Sequence, residues 1–273
     1  MRRTVIGVFL AVCLAIFTGA ADAKTVLITG SSTGHGLAFV KDYAARGWTV
    51  IATCRSPDKA DRLQAFASEH DNVIVEELDI VDYPEVDALA KKYEGTAIDV
   101  LNLNGAINTF RFGPNRFGSI DYEWFEQIMK VNVIGQIYVA EAFLEHVAAS
   151  EEKKIIAMSA TGGSIANVGR RGGGIAVAYR ASKAGLNMAM RAMGEAVKER
   201  GVIVAVIAPG TIDTEGYMNA GDPSSIPDRY KRMIQLGALD PRHAITDMMD
   251  LIDELTLDDI NKYHNWDGNE LSW

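Results

Sequence analysis

The sequence predicts a single α/β domain built around a doubly wound parallel sheet. Three observations carry that expectation. Short apolar runs rich in β-branched residues alternate with helical patterns from Thr25 to Ile207, the mark of strands buried on both faces. The first run leads into a helix through a loop of glycines, Thr29-Gly30-Ser31-Ser32-Thr33-Gly34-His35-Gly36. No linker, low-complexity stretch or internal repeat interrupts the 273 residues, so one domain accounts for the chain.

The elements follow in order. Thr25 to Ile28 is the first strand, and the helix after it is patterned Leu37, Phe39, Val40, Tyr43, Ala44 and stopped by Gly47. Between them Gly30 permits a tight turn, Gly34 and Gly36 let backbone and helix approach closely, and the amides at the helix start can hold a pyrophosphate against the positive dipole end. That is the entry of a Rossmann architecture. Trp48 to Thr53 is a second strand, and Ser56-Pro57-Asp58 opens a helix through about Ser68 as cap, first helical residue and acidic first turn. Asn72 to Leu78 is a third strand. Asp82-Tyr83-Pro84 opens another helix, and Val100 to Leu103 is a fourth strand ending at Asn104-Gly105-Ala106. Asp121 caps a long helix through Phe143. Ile155 to Met158 is a fifth strand, Ala178 to about Val197 a helix, and Val202 to Ile207 a sixth strand. Met188, Met190 and Met193 are expected in the core. Gly210 to about Asp240 has no clear period and reads equally as a mobile substrate lid or as a surface loop with short helices.

In such a sheet ligands gather outside the carboxyl ends of the strands. Asn104, Ser159 and Pro209 each close a different strand, so one crevice can collect them. The helix after the fifth strand carries Tyr179 and Lys183, four residues apart and therefore on one face. An ammonium a few ångströms from a phenolate contributes roughly 3 to 4 kcal/mol at an effective dielectric of 20, which brings a tyrosine from about 10 toward about 7 or 8. A phenol tuned that way trades a proton with a substrate oxygen near neutral pH.

The glycine pattern T-G-x-x-x-G-x-G and the Y-x-x-x-K pair, in this order and separation, resemble the short-chain dehydrogenase/reductase family over essentially the whole chain after the leader. Gly163-Ser164-Ile165-Ala166, Tyr179-Arg180-Ala181-Ser182-Lys183-Ala184 and the ending from Trp266 to Trp273 are most similar to its C-factor and sniffer-type carbonyl reductase branch. The resemblance implies hydride transfer between a nicotinamide cofactor and a small carbonyl or alcohol, with Tyr179 as acid/base. Lys183 would tune Tyr179 and hold the nicotinamide ribose, and Asn132 would anchor a water in the proton relay. It also implies that Pro209, Gly210 and Thr214 meet the nicotinamide, that Asp79 meets the adenine amino group, and that subunits pair through the helices carrying Asn132 and Tyr179. Two departures stand out. Ala160 occupies the place of the family serine that bonds the carbonyl oxygen, leaving Ser159 as the substitute and Ser164 as a second choice. After the fourth strand the family's Ala and Gly are exchanged in Asn104-Gly105-Ala106, from which altered packing is expected. A retained Tyr179, Lys183 and Asn132 favour an enzyme; the alternative is a nucleotide-binding regulatory or interaction protein weakened by Ala160.

An NAD site usually offers a carboxylate near the end of the second strand. Here that place holds Thr53-Cys54-Arg55, so a guanidinium can grip a 2′-phosphate and NADP(H) is expected over NAD(H). Ser31 and Ser32 add hydroxyls. The plain alternative is a solvated Arg55. An excess of 36 Asp+Glu over 27 Lys+Arg speaks against nucleic acid as the main partner, and the scattered histidines offer no metal-ligand spacing.

Residues 1–23 have the basic start, the apolar core from Val5 to Phe17 and the Ala21-Asp22-Ala23 cleavage site of a signal peptide. Export to the periplasm or medium is expected, Arg2-Arg3 allowing a twin-arginine route that moves a folded, cofactor-loaded protein. The alternatives are an uncleaved membrane anchor or a start codon assigned too far upstream. Residues 24–273 form the domain, in which Cys54 would be the one remaining cysteine.

Overall fold

Successive side chains of a strand point to opposite faces, so a strand apolar at every position needs helices on both sides. The computed structural model describes residues 23–107, 116–171, 176–215, 217–219, 222, 224, 226–235 and 237–273. The leader up to residue 22 and the glycines 172–174 lie outside the described residues. Along the chain come β1 (Thr25–Ile28), α1 (Gly34–Ala45), β2 (Thr49–Cys54), α2 (Asp61–Ala67), β3 (Val73–Glu77), α3 (Tyr83–Lys92), β4 (Val100–Leu103), α4 (Tyr122–Met129), α5 (Gln136–Ala142), α6 (Leu144–Ala148), β5 (Lys154–Met158), α7 (Val177–Val197), β6 (Ile203–Ala208), α8 (Asp228–Gln235), α9 (Pro241–Glu254), β7 (Tyr263–Asn265) and β8 (Glu270–Leu271).

They form one eight-stranded sheet in the order β3-β2-β1-β4-β5-β6-β7-β8. All neighbours are parallel except β8, which runs antiparallel to β7. The order reverses between β1 and β4, which places the ligand crevice outside the ends of those strands. Alternation sorts the core as expected. Val26, Ile28, Ile156 and Ile207 face α1 and α9, while Leu27, Leu101, Ile155 and Val206 face α3, α5 and α7. Each such buried aliphatic side chain contributes about 1.5–3 kcal/mol.

Local signals set several boundaries. Asp82 accepts the Glu85 amide at 3.2 Å to start α3, and Asp121 accepts the Trp124 amide at 3.0 Å to start α4. The helix expected from Asp121 to Phe143 is interrupted by a π-helical segment, Lys130–Gly135, around Asn132. The helix expected at Ser56 begins as a 3₁₀ turn, Pro57–Lys59, before α2. Met190 is fully buried, but Met188 is 67% exposed, contrary to expectation. β7, β8 and α9 are additions to the predicted order.

The stretch from Gly210 to Asp240 has a closed neck. Ile212 pairs with Leu239, with Leu239 N donating to Thr211 O at 2.7 Å and Asp213 N to Leu239 O at 2.9 Å. Beyond the neck lie a 3₁₀ turn, Tyr217–Asn219, and α8. Among the described residues no helix is long and apolar enough to cross a membrane, and no group of three His, Cys, Asp or Glu could hold a metal ion.

Candidate active site

Backbone contacts too close for a side chain assemble the glycine loop. Gly30 has φ +69°, and a Cβ there would lie 2.7 Å from Gly105 Cα. A Cβ on Gly36 would overlap the Gly30 carbonyl and come within 2.7 Å of Asn104 Nδ2. Asn104 Nδ2 donates to Thr29 O and Gly30 O at 3.0 and 3.2 Å, and Gly105 N donates to Thr29 Oγ1 at 2.9 Å. The end of β4 thus holds the loop after β1. A Cβ at Gly105 would meet Thr29 Oγ1 at 3.2 Å, so the exchanged Gly and Ala after β4 suit this tight contact.

Ser31 is buried and donates its hydroxyl to Ile28 O at 2.8 Å, stapling the turn; Ser32 is half-buried. Thr33, at the cap position of α1, makes no side-chain capping bond. The first amides of α1 therefore lack a side-chain acceptor from their cap, as an anion-binding helix start requires. Gly34, with φ +63°, leaves open space up to Thr214 Oγ1, 4.0 Å from a built Cβ. Pro209 is buried, and Gly210, φ +71°, is backed by Leu239 and Trp266, whose nearest atoms would lie 3.0 and 3.1 Å from a Cβ.

On the other side of the crevice Asn132 is fully buried. Its amide accepts from Ile107 N and donates to Ile107 O, both at 2.9 Å, and also donates to Ser182 Oγ at 3.1 Å. Ser182 Oγ in turn donates to Tyr179 O at 2.8 Å. Asn132 is thereby joined to the first turn of α7 through a serine that lies inside the Tyr-x-x-x-Lys run. π-helical segments recur at functional sites, and this one places Asn132 where it bridges β4 and α7.

Tyr179 is half-buried and Lys183 is 2% exposed. Burial pushes the Tyr179 phenol up to about 12 and the Lys183 ammonium down to about 8. The expected lowering of the phenol by the ammonium is therefore corrected. Lys183 Nζ donates to Met158 O at 2.7 Å and stands 6.0 Å from the Tyr179 ring centroid, so its charge is directed at the end of β5. His35 of the glycine loop is pushed down to about 4 by burial and by the charge of Lys183, which puts the loop and the lysine in one electrostatic neighbourhood.

The hydroxyls near position 160 turn away from a site facing that residue. Ser159 Oγ, 4% exposed, donates to Asn187 Oδ1 at 2.5 Å. Ser164 Oγ donates to Ser272 O at 2.6 Å. Arg55 is exposed just beyond β2, and Asp79 accepts the Val81 amide at 3.2 Å beyond β3. Besides Ser182, sequence reasoning overlooked Gln136, which donates to Gly105 O, and Tyr263, which donates to Ala160 O. Tyr263 stands three residues before the quoted ending and carried no periodic signal.

A family model described as short chain dehydrogenase matches residues 24–224. The chain belongs to the short-chain dehydrogenase/reductase family. It is 30% identical over 253 residues to an uncharacterised oxidoreductase of Schizosaccharomyces pombe, covering 90% of this chain and 96% of that protein. It is 32% identical over 206 residues to an NADPH-dependent pterin aldehyde reductase of Arabidopsis thaliana, covering 73% and 81%. Among solved structures it resembles the NADPH-bound carbonyl reductase from chicken fatty liver, with TM-score 0.77 and 26% identity over 92% of this chain and 99% of that one. The carbonyl reductase Sniffer of D. melanogaster is similar at TM-score 0.75 and 25% identity, over 92% and 100%. The chain is thus a short-chain dehydrogenase/reductase with the Rossmann-like fold of its family, alongside sniffer-type carbonyl reductases.

Proposed function

We propose that this short-chain dehydrogenase/reductase is an NADP(H)-dependent oxidoreductase that interconverts a small carbonyl compound and its alcohol, with Tyr179 as the acid/base. The carrying observation is the hydrogen-bonded run from Asn132 through Ser182 to the main-chain carbonyl of Tyr179, on the helix whose Lys183 Nζ stands 6.0 Å from the Tyr179 ring centroid. The dinucleotide fits the residues present: the glycine contacts and the helix start without a side-chain cap suit a pyrophosphate, and the exposed guanidinium of Arg55, just beyond β2, supports a contact with a 2′-phosphate. The NADP preference is supported by relatives and neighbours named for NADPH or NADP. When bound, the cofactor supplies hydride at its nicotinamide. Tyr179, kept protonated by its surroundings, gives a proton to the carbonyl oxygen, and Lys183 and Asn132 hold the phenol's side of the crevice in place. Gly30, Gly34, Gly36, Asn104, Pro209, Gly210 and Thr214 shape the groove, while Asp79 borders its adenine end.

NADPH oxidation with a panel of aldehydes and ketones, comparing the wild type with Tyr179→Phe, tests this reading. Turnover that Tyr179→Phe abolishes supports it. A specific observation favours one second reading, a nucleotide-binding regulatory protein: position 160 has no hydroxyl, and Ser159 and Ser164 bond elsewhere. NADPH binding without turnover on any carbonyl would favour that alternative. Export by a leader cleaved after Ala23 rests on the basic start, the apolar core and Ala21-Asp22-Ala23 of the sequence; fractionation with a fused reporter checks it. Pairing through the helices of Asn132 and Tyr179 is supported by exposed Ile134 and Met188 on them, and sedimentation checks it.

A further inference from the structure

Tyr263 is a phenol where packing alone asks for a phenyl ring. It is fully buried between the sheet and α7, and its ring stacks on Trp273 at 5.3 Å and 23°. A phenylalanine would keep all of that contact. The hydroxyl does something further. It donates to Ala160 O and lies 3.5 Å from Ser159 Oγ. Burial raises this phenol, so it remains a donor across the neutral range, and a charge on it would raise Tyr179, which marks the two phenols as neighbours.

Ala160 O also accepts the Gly163 amide at 2.7 Å, closing the turn Thr161–Gly163 after β5. That turn is packed against the catalytic helix with no clearance. A Cβ on Gly163 would lie 2.9 Å from Lys183 Cβ and 3.1 Å from Asn187 Nδ2. Asn187 accepts from Ser159 Oγ at 2.5 Å and donates to Gly163 O at 3.4 Å, and Lys183 Nζ bonds Met158 O at 2.7 Å. Residues 158–163 are therefore fixed to α7 at Lys183 and Asn187, and from the side of β7 at Ala160 O.

We propose that Tyr263 is a positioning residue for the Tyr179–Lys183 pair, its hydroxyl holding the Ala160 carbonyl and, through it, the turn on which Lys183 is seated. This rests on the oxidoreductase reading above. With no side-chain hydroxyl at position 160, the geometry opposite Tyr179 depends on where this backbone stands, and the phenol of β7 supplies the bond that fixes it.

Tyr263→Phe, with unchanged circular dichroism as the check on folding, tests the inference. The expected result is a kcat for carbonyl reduction lower by about tenfold, the equivalent of one neutral hydrogen bond, with KM for NADPH within about twofold. Amide exchange at Gly163, whose N–H bonds the same carbonyl, is expected to accelerate. A purely structural phenol would lower thermal stability and leave kcat alone. Wild-type turnover together with a kcat in Tyr263→Phe within about twofold of it overturns the proposal. If the wild type turns over no carbonyl at all, the oxidoreductase reading fails, and exchange at Gly163 decides the clamp by itself: unchanged protection overturns it.

Discussion

Replacing Lys183 by methionine should make the folded chain more stable while removing its activity. The ammonium is 2% exposed, and burial takes it from 10.5 to about 8. At 1.36 kcal/mol per unit, carrying that charge costs the native state roughly 3 kcal/mol. Methionine fills similar volume without the charge. It forfeits the bond to Met158 O, and leaving that carbonyl without a donor takes back about 1–2 kcal/mol. The net expectation at pH 7 is a gain of about 1–2 kcal/mol, or a Tm higher by roughly 2–6 °C for a chain of this size. The pH dependence identifies the cause. Below the folded value near 8 the lysine is charged whether folded or not, and the full penalty is present. Between there and 10.5 the unfolded chain binds more protons, so wild-type stability rises with pH and the penalty disappears. The advantage of Lys183→Met should therefore be constant up to pH 8, pass through zero above it and become a deficit of about 1–2 kcal/mol by 10.5, where only the lost bond to Met158 O remains. Urea denaturation at a series of pH values measures it. A variant less stable than wild type at pH 7, or a gap that does not narrow across that window, refutes the reasoning.

Three other outcomes follow from the same contacts. Gly36→Ala pushes a methyl into the Gly30 carbonyl and Asn104; a loss of about 1–3 kcal/mol by denaturation and weaker NADPH binding by fluorescence titration are expected, and unchanged values for both would count against the loop geometry. Arg55→Asp replaces attraction for a 2′-phosphate by repulsion, so the NADP/NAD ratio of kcat/KM should fall by at least about tenfold; an unchanged ratio removes Arg55 from the cofactor site. Asn102 is fully buried in β4, and neither end of its amide has a partner among the described residues. Asn102→Val should add about 1–2 kcal/mol, read as a higher denaturation midpoint, and a lower midpoint would show that the amide is satisfied in solution.

The parts legible in the sequence were those written in local pattern. Six strands, the glycine loop and the Asp82 and Asp121 caps depend on neighbours within a few residues, and they stand where the sequence placed them. The π-helical segment at Asn132 was not legible, because helical periodicity is read over several turns and a single wide turn alters the spacing at one step only. β7 and β8 are three and two residues long; pairing with β6 creates them rather than propensity. The exposure of Met188 is legible in spacing, since residues 188 and 190 lie on opposed sides of one helix and only one can face the core. The Tyr179–Lys183 spacing gave the shared face correctly. It held no information about the Met158 carbonyl, which comes from a strand more than twenty residues earlier and draws the ammonium away.

The Ile212–Leu239 bridge has a consequence for how such a protein can diversify. Among the described residues the chain leaves and re-enters the body at this paired point, with a further tie from Arg62 to Glu215 at 3.2 Å, so the length beyond Glu215 is placed to act as an exchangeable cassette. Residues there can be lengthened, shortened or replaced without altering the register of any sheet strand. Under the function proposed above, changes in that cassette would leave Tyr179 and Lys183, both on α7, in place.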